Sequence, residues 1–137
     1  LDPVITADGL GGLGVEVVKN YARCRTILDT TSEVVAYDIR TRDIGTTSGD
    51  ITLARNGQLR LNMLPKDCTV SQGDLIYTTG YGGLYPKDLA IGEVTEIHTD
   101  SSGMSMYAVI DPLSDIETVK DVLVITSFEG QGEQVFE

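Results

Sequence analysis

The sequence nearly repeats itself, and this internal similarity constrains the fold more than any other feature. Residues 2–12, DPVITADGLGG, return one residue shorter as residues 74–83, DLIYTTGYGG. Two further similarities follow in the same order: segment 14–18 with 92–97, and segment 26–29 with 108–111. Similar segments in a fixed order indicate two copies of one structural unit. Each copy runs strand, glycine-rich corner, strand, strand, which predicts an all-β fold of two small tandem β-barrels with a similar strand order.

Alternating hydrophobicity supports this interpretation within single segments. Leu59, Leu61 and Met63 are expected on one face of a strand, with Arg60 and Asn62 on the other. A period of two over such short runs is typical of half-buried strands. Counted in this way, the chain contains about ten strands.

Turn and capping residues refine the prediction. The Asn56–Gly57 pair between segments 51–53 and 59–61 predicts a tight hairpin of two strands. One short helical turn is expected near residues 114–119, because Ser114 and Glu117 have the spacing of a capping box.

The repeat also predicts domain boundaries. Residues 1–56 would form the first barrel, 57–127 the second, and 128–137 a loosely held acidic tail. The second copy is preceded by a predicted strand at 59–64, and the first copy has no counterpart to it. We therefore expect the first barrel to lack its opening strand and to leave a sheet edge at residues 4–6 unpaired.

Composition and charge exclude several function classes. The apolar fraction of 41% can build a core, but two units this small are expected to lean on each other or on a partner. The net charge of −11 argues against binding to nucleic acid and against direct docking on anionic lipid. No apolar run approaches the roughly 20 residues of a membrane span.

The two cysteines do not indicate a metal site. Cys24 and Cys68 have no CxxC spacing and no histidine nearby, so we predict no zinc and no other metal. Cys24 lies in an alternating stretch and is expected to be a buried free thiol. A disulfide between the two cysteines is the alternative.

No other residue pattern predicts catalysis or a cofactor. The glycines of segment 9–14 resemble a phosphate loop, but a strand follows them where a helix would be required. His98 is the only histidine, and no serine elbow accompanies it. Asp38, Asp43 and Asp50 lie near predicted turns, where acidic residues mostly serve solubility. We therefore predict no catalytic residue and no cofactor.

The segment 80–92 is the strongest candidate for a binding site. Tyr81, Leu84, Tyr85 and Pro86 lie on a glycine- and proline-rich corner, where they either contact a partner protein or plug the mouth of the barrel. Six glycines are expected to be needed for the backbone path of the corners: Gly9, Gly12, Gly80, Gly82, Gly83 and Gly92.

Residues 73–94 resemble the C-terminal signature of the MreC family of rod shape-determining proteins, in which a G-D-x-V-x-T-S-G-x-G-G corner is followed by F/Y-P-x-G-L-x-I-G. Residues 4–12 resemble the earlier V-I-T-x-x-G-L corner of that family, and segments 20–29 and 111–125 also match its pattern. The resemblance covers about residues 3–126. Asp88 stands where the family usually has glycine, and Gly11 where it usually has valine.

This resemblance implies a function. MreC proteins are non-catalytic, single-pass scaffolds, whose barrels lie on the extracytoplasmic face of the bacterial cytoplasmic membrane. The family acts in cell-shape maintenance and lateral peptidoglycan synthesis, through self-association and through binding of MreD, RodA and class B penicillin-binding proteins. This chain would correspond to the double-barrel portion, and it would reach the membrane only through an N-terminal helix outside it. Two alternatives are a chymotrypsin-like β-barrel hydrolase and a peptidoglycan-binding module.

Overall fold

The computed structural model of the chain describes residues 2–17, 22–114 and 123–132, which contain ten β-strands and one short α-helix. The elements in chain order are β1 (Pro3–Ile5), β2 (Leu10–Val17), β3 (Ala22–Thr26), β4 (Glu33–Asp38), β5 (Ile44–Ser48), α1 (Ile51–Ala54), β6 (Leu59–Leu64), β7 (Leu75–Thr78), β8 (Ala90–Thr99), β9 (Met106–Pro112) and β10 (Leu123–Val124). The prediction of an all-β fold is confirmed.

Six strands form a closed antiparallel barrel in the order β4, β5, β6, β9, β8, β7. The barrel closes because β4 pairs with β5 on one side and with β7 on the other. Its interior is filled by aliphatic side chains that are almost completely buried, among them Leu59, Leu61, Ile76, Val94 and Ile110. Since successive side chains of a strand point to opposite faces, Leu59, Leu61 and Val94 alternate with polar residues of their strands.

The other four strands form a second antiparallel sheet in the order β10, β1, β2, β3. Leu10, Leu13 and Ile27 of this part of the chain belong to the same hydrophobic cluster as the barrel interior. The hydroxyls of Thr6 and Ser114, 2.7 Å apart, add a polar contact between the two parts. The two units therefore share one core, as their small size predicted.

The boundary predicted at residue 56 requires correction. Strands β4 and β5 precede that residue, yet they belong to the closed barrel, because β5 pairs with β6 and β4 pairs with β7. Consecutive strands joined by short connections tend to lie side by side, which keeps β4, β5 and β6 in one sheet. The division between the two sheets lies between Thr26, where β3 ends, and Glu33, where β4 begins.

The prediction of an unpaired edge at residues 4–6 is wrong. Val4 pairs with Val124 and Ile5 with Leu123, so β10 covers that edge of β1. The partner strand comes from the far end of the chain, and a comparison of the two repeats contains no information about such a distant pairing.

The hairpin predicted around Asn56–Gly57 is also wrong in part. Segment 51–53 is helical, and the strand that pairs with β6 is β5. Asp50 explains the difference, because its carboxylate accepts a hydrogen bond from the backbone N–H of Leu53 at 3.0 Å and caps the helix. Residues 115–119 of the helical turn predicted near residues 114–119 lie outside the described residues.

Met63 does not share the buried face of Leu59 and Leu61 as predicted. Its side chain is 72% exposed, whereas Leu64 is fully buried. The pairing of β6 with β9 shifts register between Leu61 and Leu64, and Met63 has a left-handed φ of 65°. A bulge of this kind moves the following side chains to the opposite face.

Both cysteines are free, and Cys24 is exposed rather than buried as predicted. The strand β3 pairs with β2 through an irregular register between Gly14 and Glu16, opposite Cys24. The extra residue of this bulge, Val15, lies in β2, so β3 itself keeps its alternation. Arg23 and Cys24 point to opposite faces of β3 and are both exposed, so the described residues cover neither face of this part of the strand.

The six glycines predicted at the corners fall into two geometric groups. Three have a left-handed φ: Gly80 (82°), Gly82 (88°) and Gly83 (71°). At the other three, a Cβ atom would strike a backbone carbonyl oxygen: that of Ala90 at Gly9, that of Arg25 at Gly12, and that of Asp111 at Gly92. The first group depends on the backbone freedom of glycine and the second on the absence of a side chain.

Replacing Gly82 with alanine is expected to lower the free energy of unfolding by about 1 kcal/mol or more, since an L-residue is strained at positive φ. No atom lies within 4 Å of the position that the new Cβ would take, so the cost reports backbone conformation alone. Gly11→Ala is the matched control, because its Cβ would be in ordinary contact 3.4 Å from the carbonyl oxygen of Val4. Urea denaturation of both variants checks this, and equal midpoints would contradict it.

Candidate protein-binding groove

The loop between β7 and β8, residues 79–89, is held in place by Thr78. The buried hydroxyl of Thr78 donates a hydrogen bond to the carbonyl oxygen of Pro86 at 2.6 Å and accepts one from the backbone N–H of Leu89 at 2.9 Å. The backbone N–H of Asp88 also donates to the carbonyl oxygen of Thr78 at 2.9 Å. The loop is thus fixed to the end of a barrel strand by a side chain that the core immobilises.

The structure separates the residues of the predicted contact-or-plug loop. Tyr85 is only 6% exposed and belongs to the hydrophobic core, where burial raises the pKa of its hydroxyl. Leu84 is 46% exposed, and Tyr81 and Pro86 line a surface groove. The geometry of a plug therefore applies to Tyr85, while the other three residues are placed where a partner could reach them.

This groove has a volume of about 700 Å³ and lies where the β4–β5 turn meets the β7–β8 loop. Its apolar surface comes from Tyr37, Ile44, Tyr81 and Pro86, and its cations are Arg42 and Lys87. Glu129 and Gly130, from the segment after β10, line it as well. Aromatic side chains and arginine are enriched at protein interfaces, so this lining is typical of a protein-binding surface.

Two residues at the rim of the groove hold left-handed backbone conformations. Arg42 has a φ of 68° and Asp88 a φ of 64°. The Tyr37 hydroxyl donates a hydrogen bond to the Asp88 carboxylate, which raises the pKa of Tyr37, and the Arg42 guanidinium lies 5.6 Å from the centroid of the Tyr37 ring. Asp88 thus adopts a left-handed conformation that glycine favours. Aspartate visits this conformation more readily than most other residues, so it fits where the resemblance to the MreC family predicts glycine.

A second polar cluster lies at the end of β4, and the sequence did not predict it. Asp74 receives two hydrogen bonds from the Arg40 guanidinium, at 2.8 and 2.9 Å, and these lower its pKa. Asp38 is completely buried beside Asp74. Burial, and then the hydrogen-bonding contact with Asp74, raise the pKa of Asp38 to about 6.

Only one of the two carboxyl oxygens of Asp38 is satisfied. Its Oδ1 accepts hydrogen bonds from the backbone N–H groups of Arg40 and Thr41 at 2.8 and 3.2 Å. No hydrogen-bond donor reaches its buried Oδ2, which therefore has no partner while Asp38 is ionised; only the protonated form can donate to Asp74. Asp38 was predicted to be a solubility residue near a turn. The turn is present, but the Asp38 side chain is buried, and its hydrogen bonds to Arg40 and Thr41 stabilise the turn.

His98 lies on an exposed part of β8, where its Nε2 is 3.3 Å from the Glu96 carboxylate. Its ring centroid is 5.2 Å from that of Tyr107, and the two ring planes are tilted by 31°. No serine of the described residues is hydrogen-bonded to it in the structure. Within residues 2–17, 22–114 and 123–132, no group of three or more histidine, cysteine or acidic residues is placed to hold a metal ion. Among these same residues, no helix has the length and apolar character to cross a membrane.

Sequence reasoning found the β7–β8 side of the groove and missed the rest. Tyr37 lies in β4 and Arg42 in the β4–β5 turn, and both fall within residues 1–56, which were predicted to form the first barrel. Glu129 and Gly130 come from the tail at residues 128–137, which was expected to be loosely held. Among the missed groove residues, only the cations carried a sequence signal. Basic residues are rare on a chain with 10 basic and 21 acidic residues, so Arg42 and Lys87 could have been identified as candidates for binding an acidic partner.

The fold and this surface define an all-β protein with a closed barrel, a second sheet and a groove of aromatic and cationic residues. The family described as rod shape-determining protein MreC, barrel core, matches residues 2–126. The chain belongs to the MreC family, and the resemblance found in the sequence is confirmed.

Individual relatives agree with this assignment. The cell shape-determining protein MreC of Haemophilus influenzae is 28% identical over 127 residues, which are 90% of this chain. The match covers 34% of that relative, so the chain spans about a third of its length. The crystal structure of MreC from Pseudomonas aeruginosa has a TM-score of 0.83 at 25% identity, over 90% of this chain and 78% of that one.

A third comparison concerns a complex. A chain in the complex between penicillin-binding protein PBP2 and MreC from Helicobacter pylori has a TM-score of 0.71 at 14% identity. The superposition covers 89% of this chain and 74% of that one. At this identity the likeness shows a shared fold.

Proposed function

We propose that this chain is the barrel portion of a non-catalytic scaffold that supports cell-shape maintenance and lateral peptidoglycan synthesis. It acts on the extracytoplasmic face of the cytoplasmic membrane, as part of a single-pass protein. It binds a class B penicillin-binding protein and further copies of itself, with MreD and RodA as additional partners of the family.

The groove between the β4–β5 turn and the β7–β8 loop is the observation that carries this proposal. It combines two tyrosines with Arg42 and Lys87, and tyrosine and arginine are frequent energetic anchors of protein interfaces. Thr78 fixes the loop to the barrel, so binding would order few residues and lose little entropy. The existence of a PBP2 complex with an MreC protein of the same fold supports the choice of partner.

The double substitution Tyr81→Ala with Lys87→Ala is expected to weaken binding to a purified class B penicillin-binding protein by at least about tenfold. Both side chains lie on the surface, so the melting temperature should change little. Met104→Ala is the control, since Met104 is 82% exposed on the β8–β9 turn, away from the groove lining. Surface plasmon resonance measures the affinities, and equal affinities in all three proteins would contradict the proposal.

The two alternatives predict different behaviour. A chymotrypsin-like hydrolase would react with an active-site serine probe in a manner that depends on His98. A peptidoglycan-binding module would sediment with purified sacculi in the absence of any protein partner. We expect neither result, and a positive one in either assay would replace the scaffold proposal with that function.

A further inference from the structure

The segment that follows β10 forms one wall of the groove described above, through Glu129 and Gly130. Its start is fixed by a hydrogen bond from the backbone N–H of Ile125 to the carbonyl oxygen of Pro3 at 2.9 Å. Its far end is fixed to the β7–β8 loop by the backbone N–H of Gly132, which donates to the carbonyl oxygen of Gly83 at 2.9 Å. Residues 128–132 belong to the tail that was expected to be loosely held, and up to Gly132 the segment is attached at both ends.

Between these two attachments the segment makes a defined turn. The backbone N–H of Gln131 donates to the carbonyl oxygen of Phe128 at 3.2 Å, and Gly130 has a φ of 87°. A left-handed residue at the third position is what a type II turn requires. This turn presents Glu129 and Gly130 to the groove.

The charges of the groove and the segment are complementary. Arg42 and Lys87 line the groove together with Glu129, in a chain whose net charge is −11. A concave surface that concentrates positive charge on such a chain attracts a carboxylate more strongly than the rest of the surface does. The aromatic and apolar lining adds a preference for a peptide over a free anion.

We propose that the groove binds an acidic peptide segment, and that residues 125–132 of the chain itself occupy one side of it. The inference rests on the proposed function, because the groove is the same. The chain's own segment and the protein partner then compete for one surface, so the segment sets the affinity of the scaffold for its partner.

The segment is held weakly enough to exchange. Thr126, Ser127, Glu129 and Gln131 are exposed, and few apolar atoms are buried with them. Segments with few buried contacts open at low free energy. Because the segment is tethered, its effective concentration is high, and an occupancy of about 90% would weaken binding of a competing peptide by about tenfold.

Two substitutions in the full chain are expected to release the segment. Gly132→Pro removes the N–H that donates to Gly83, and proline cannot adopt the φ of 77° found there. Glu129→Gln removes the carboxylate and leaves the backbone unchanged. The probe is a fluorescein-labelled peptide with the sequence of residues 125–132, ITSFEGQG, and its fluorescence anisotropy reports binding in trans.

Both release variants are expected to bind the labelled peptide about tenfold more tightly than the parent chain. Adding Arg42→Gln and Lys87→Gln to the Gly132→Pro chain should abolish most of this binding. The matched control, Arg55→Gln with Lys66→Gln, removes two exposed cations outside the groove lining and should retain it. A peptide with glutamine in place of its glutamate should bind less tightly to every chain.

The outcomes separate this inference from the proposed function. Equal peptide affinity in the parent and both release variants would overturn the inference, as would binding that does not depend on Arg42 and Lys87. Concentration-dependent dimers of the Gly132→Pro chain that form through the groove would also overturn it, because the segment would then occupy a second copy. If the penicillin-binding protein requires Tyr81 and Lys87 but is insensitive to the release variants, the proposed function stands and the inference fails.

Discussion

Replacing Tyr85 with alanine is expected to lower the free energy of unfolding by about 3–5 kcal/mol, the range found when a large buried aromatic side chain is truncated. The ring of Tyr85 belongs to the hydrophobic cluster that joins the barrel to the second sheet, together with Leu10, Leu13 and Ile91. Alanine would leave a cavity at the point where the β7–β8 loop covers the barrel. The variant therefore tests the proposal that Tyr85 plugs the mouth of the barrel.

Two controls make this result specific. Tyr85→Phe keeps the ring, so we expect a change of no more than about 1 kcal/mol. Leu84→Ala alters the adjacent, half-exposed residue, and its effect on stability should lie within about 0.5 kcal/mol. Urea denaturation followed by circular dichroism measures all three. A loss for Tyr85→Ala as small as that for Leu84→Ala would show that the loop does not seal the core.

Replacing Asp38 with asparagine is expected to stabilise the protein at neutral pH, which is unusual for a substitution in a core. The Oδ2 atom of Asp38 is buried without a hydrogen-bond partner beside the Asp74 carboxylate, and a negative charge at this position is unfavourable. Asparagine keeps an oxygen for the N–H groups of Arg40 and Thr41. Its amide nitrogen supplies a donor toward Asp74. We expect a gain of about 1–3 kcal/mol above pH 6.

The pH dependence of this gain follows from the pKa of Asp38, which the fold raises from 3.8 to about 6. Between these values the folded state binds a proton that the unfolded state does not, so stability due to Asp38 falls as the pH rises from about 4 to 6. The advantage of Asp38→Asn should therefore shrink toward zero as the pH falls through this window. The lowered pKa of Asp74 acts with the opposite sign, since its contribution is lost only in stronger acid.

Melting curves of the parent and Asp38→Asn between pH 4 and 8 measure this difference. A change of 1 kcal/mol corresponds to about 2–8 °C for domains of this size range. Asp67→Asn, which alters an exposed carboxylate, should show no pH-dependent gain. An Asp38→Asn protein that is less stable than the parent at pH 7.5 would mean that the buried carboxylate carries a favourable charge interaction.

Local features of the fold could be predicted from sequence because their causes lie within a few residues. The alternation of Leu59, Arg60 and Leu61 predicted one strand correctly, since burial of one face of a sheet imposes a period of two. The spaced motifs of segments 4–12 and 73–94 predicted the family. The β7–β8 side of the candidate site was found in the same way, from aromatic residues on a glycine-rich corner.

The remaining features depend on contacts between residues far apart in the chain. Strand β10 covers the edge of β1 across more than a hundred residues, and β4 joins the barrel by pairing with β7. The bulge at Met63 exists because β6 must match the register of β9. None of these pairings can be predicted from the local pattern of hydrophobicity.

The groove and the Asp38 cluster show the same division at the level of single side chains. The sequence by itself determined the all-β architecture, the family and the loop that carries Tyr81 and Pro86, because residue type and short-range spacing specify them. Only the tertiary structure decided that Tyr37 and Glu129 meet at that loop, and that Asp38 is buried. Burial and charge interactions are set by which strands enclose a residue, and closure of the barrel fixes that enclosure.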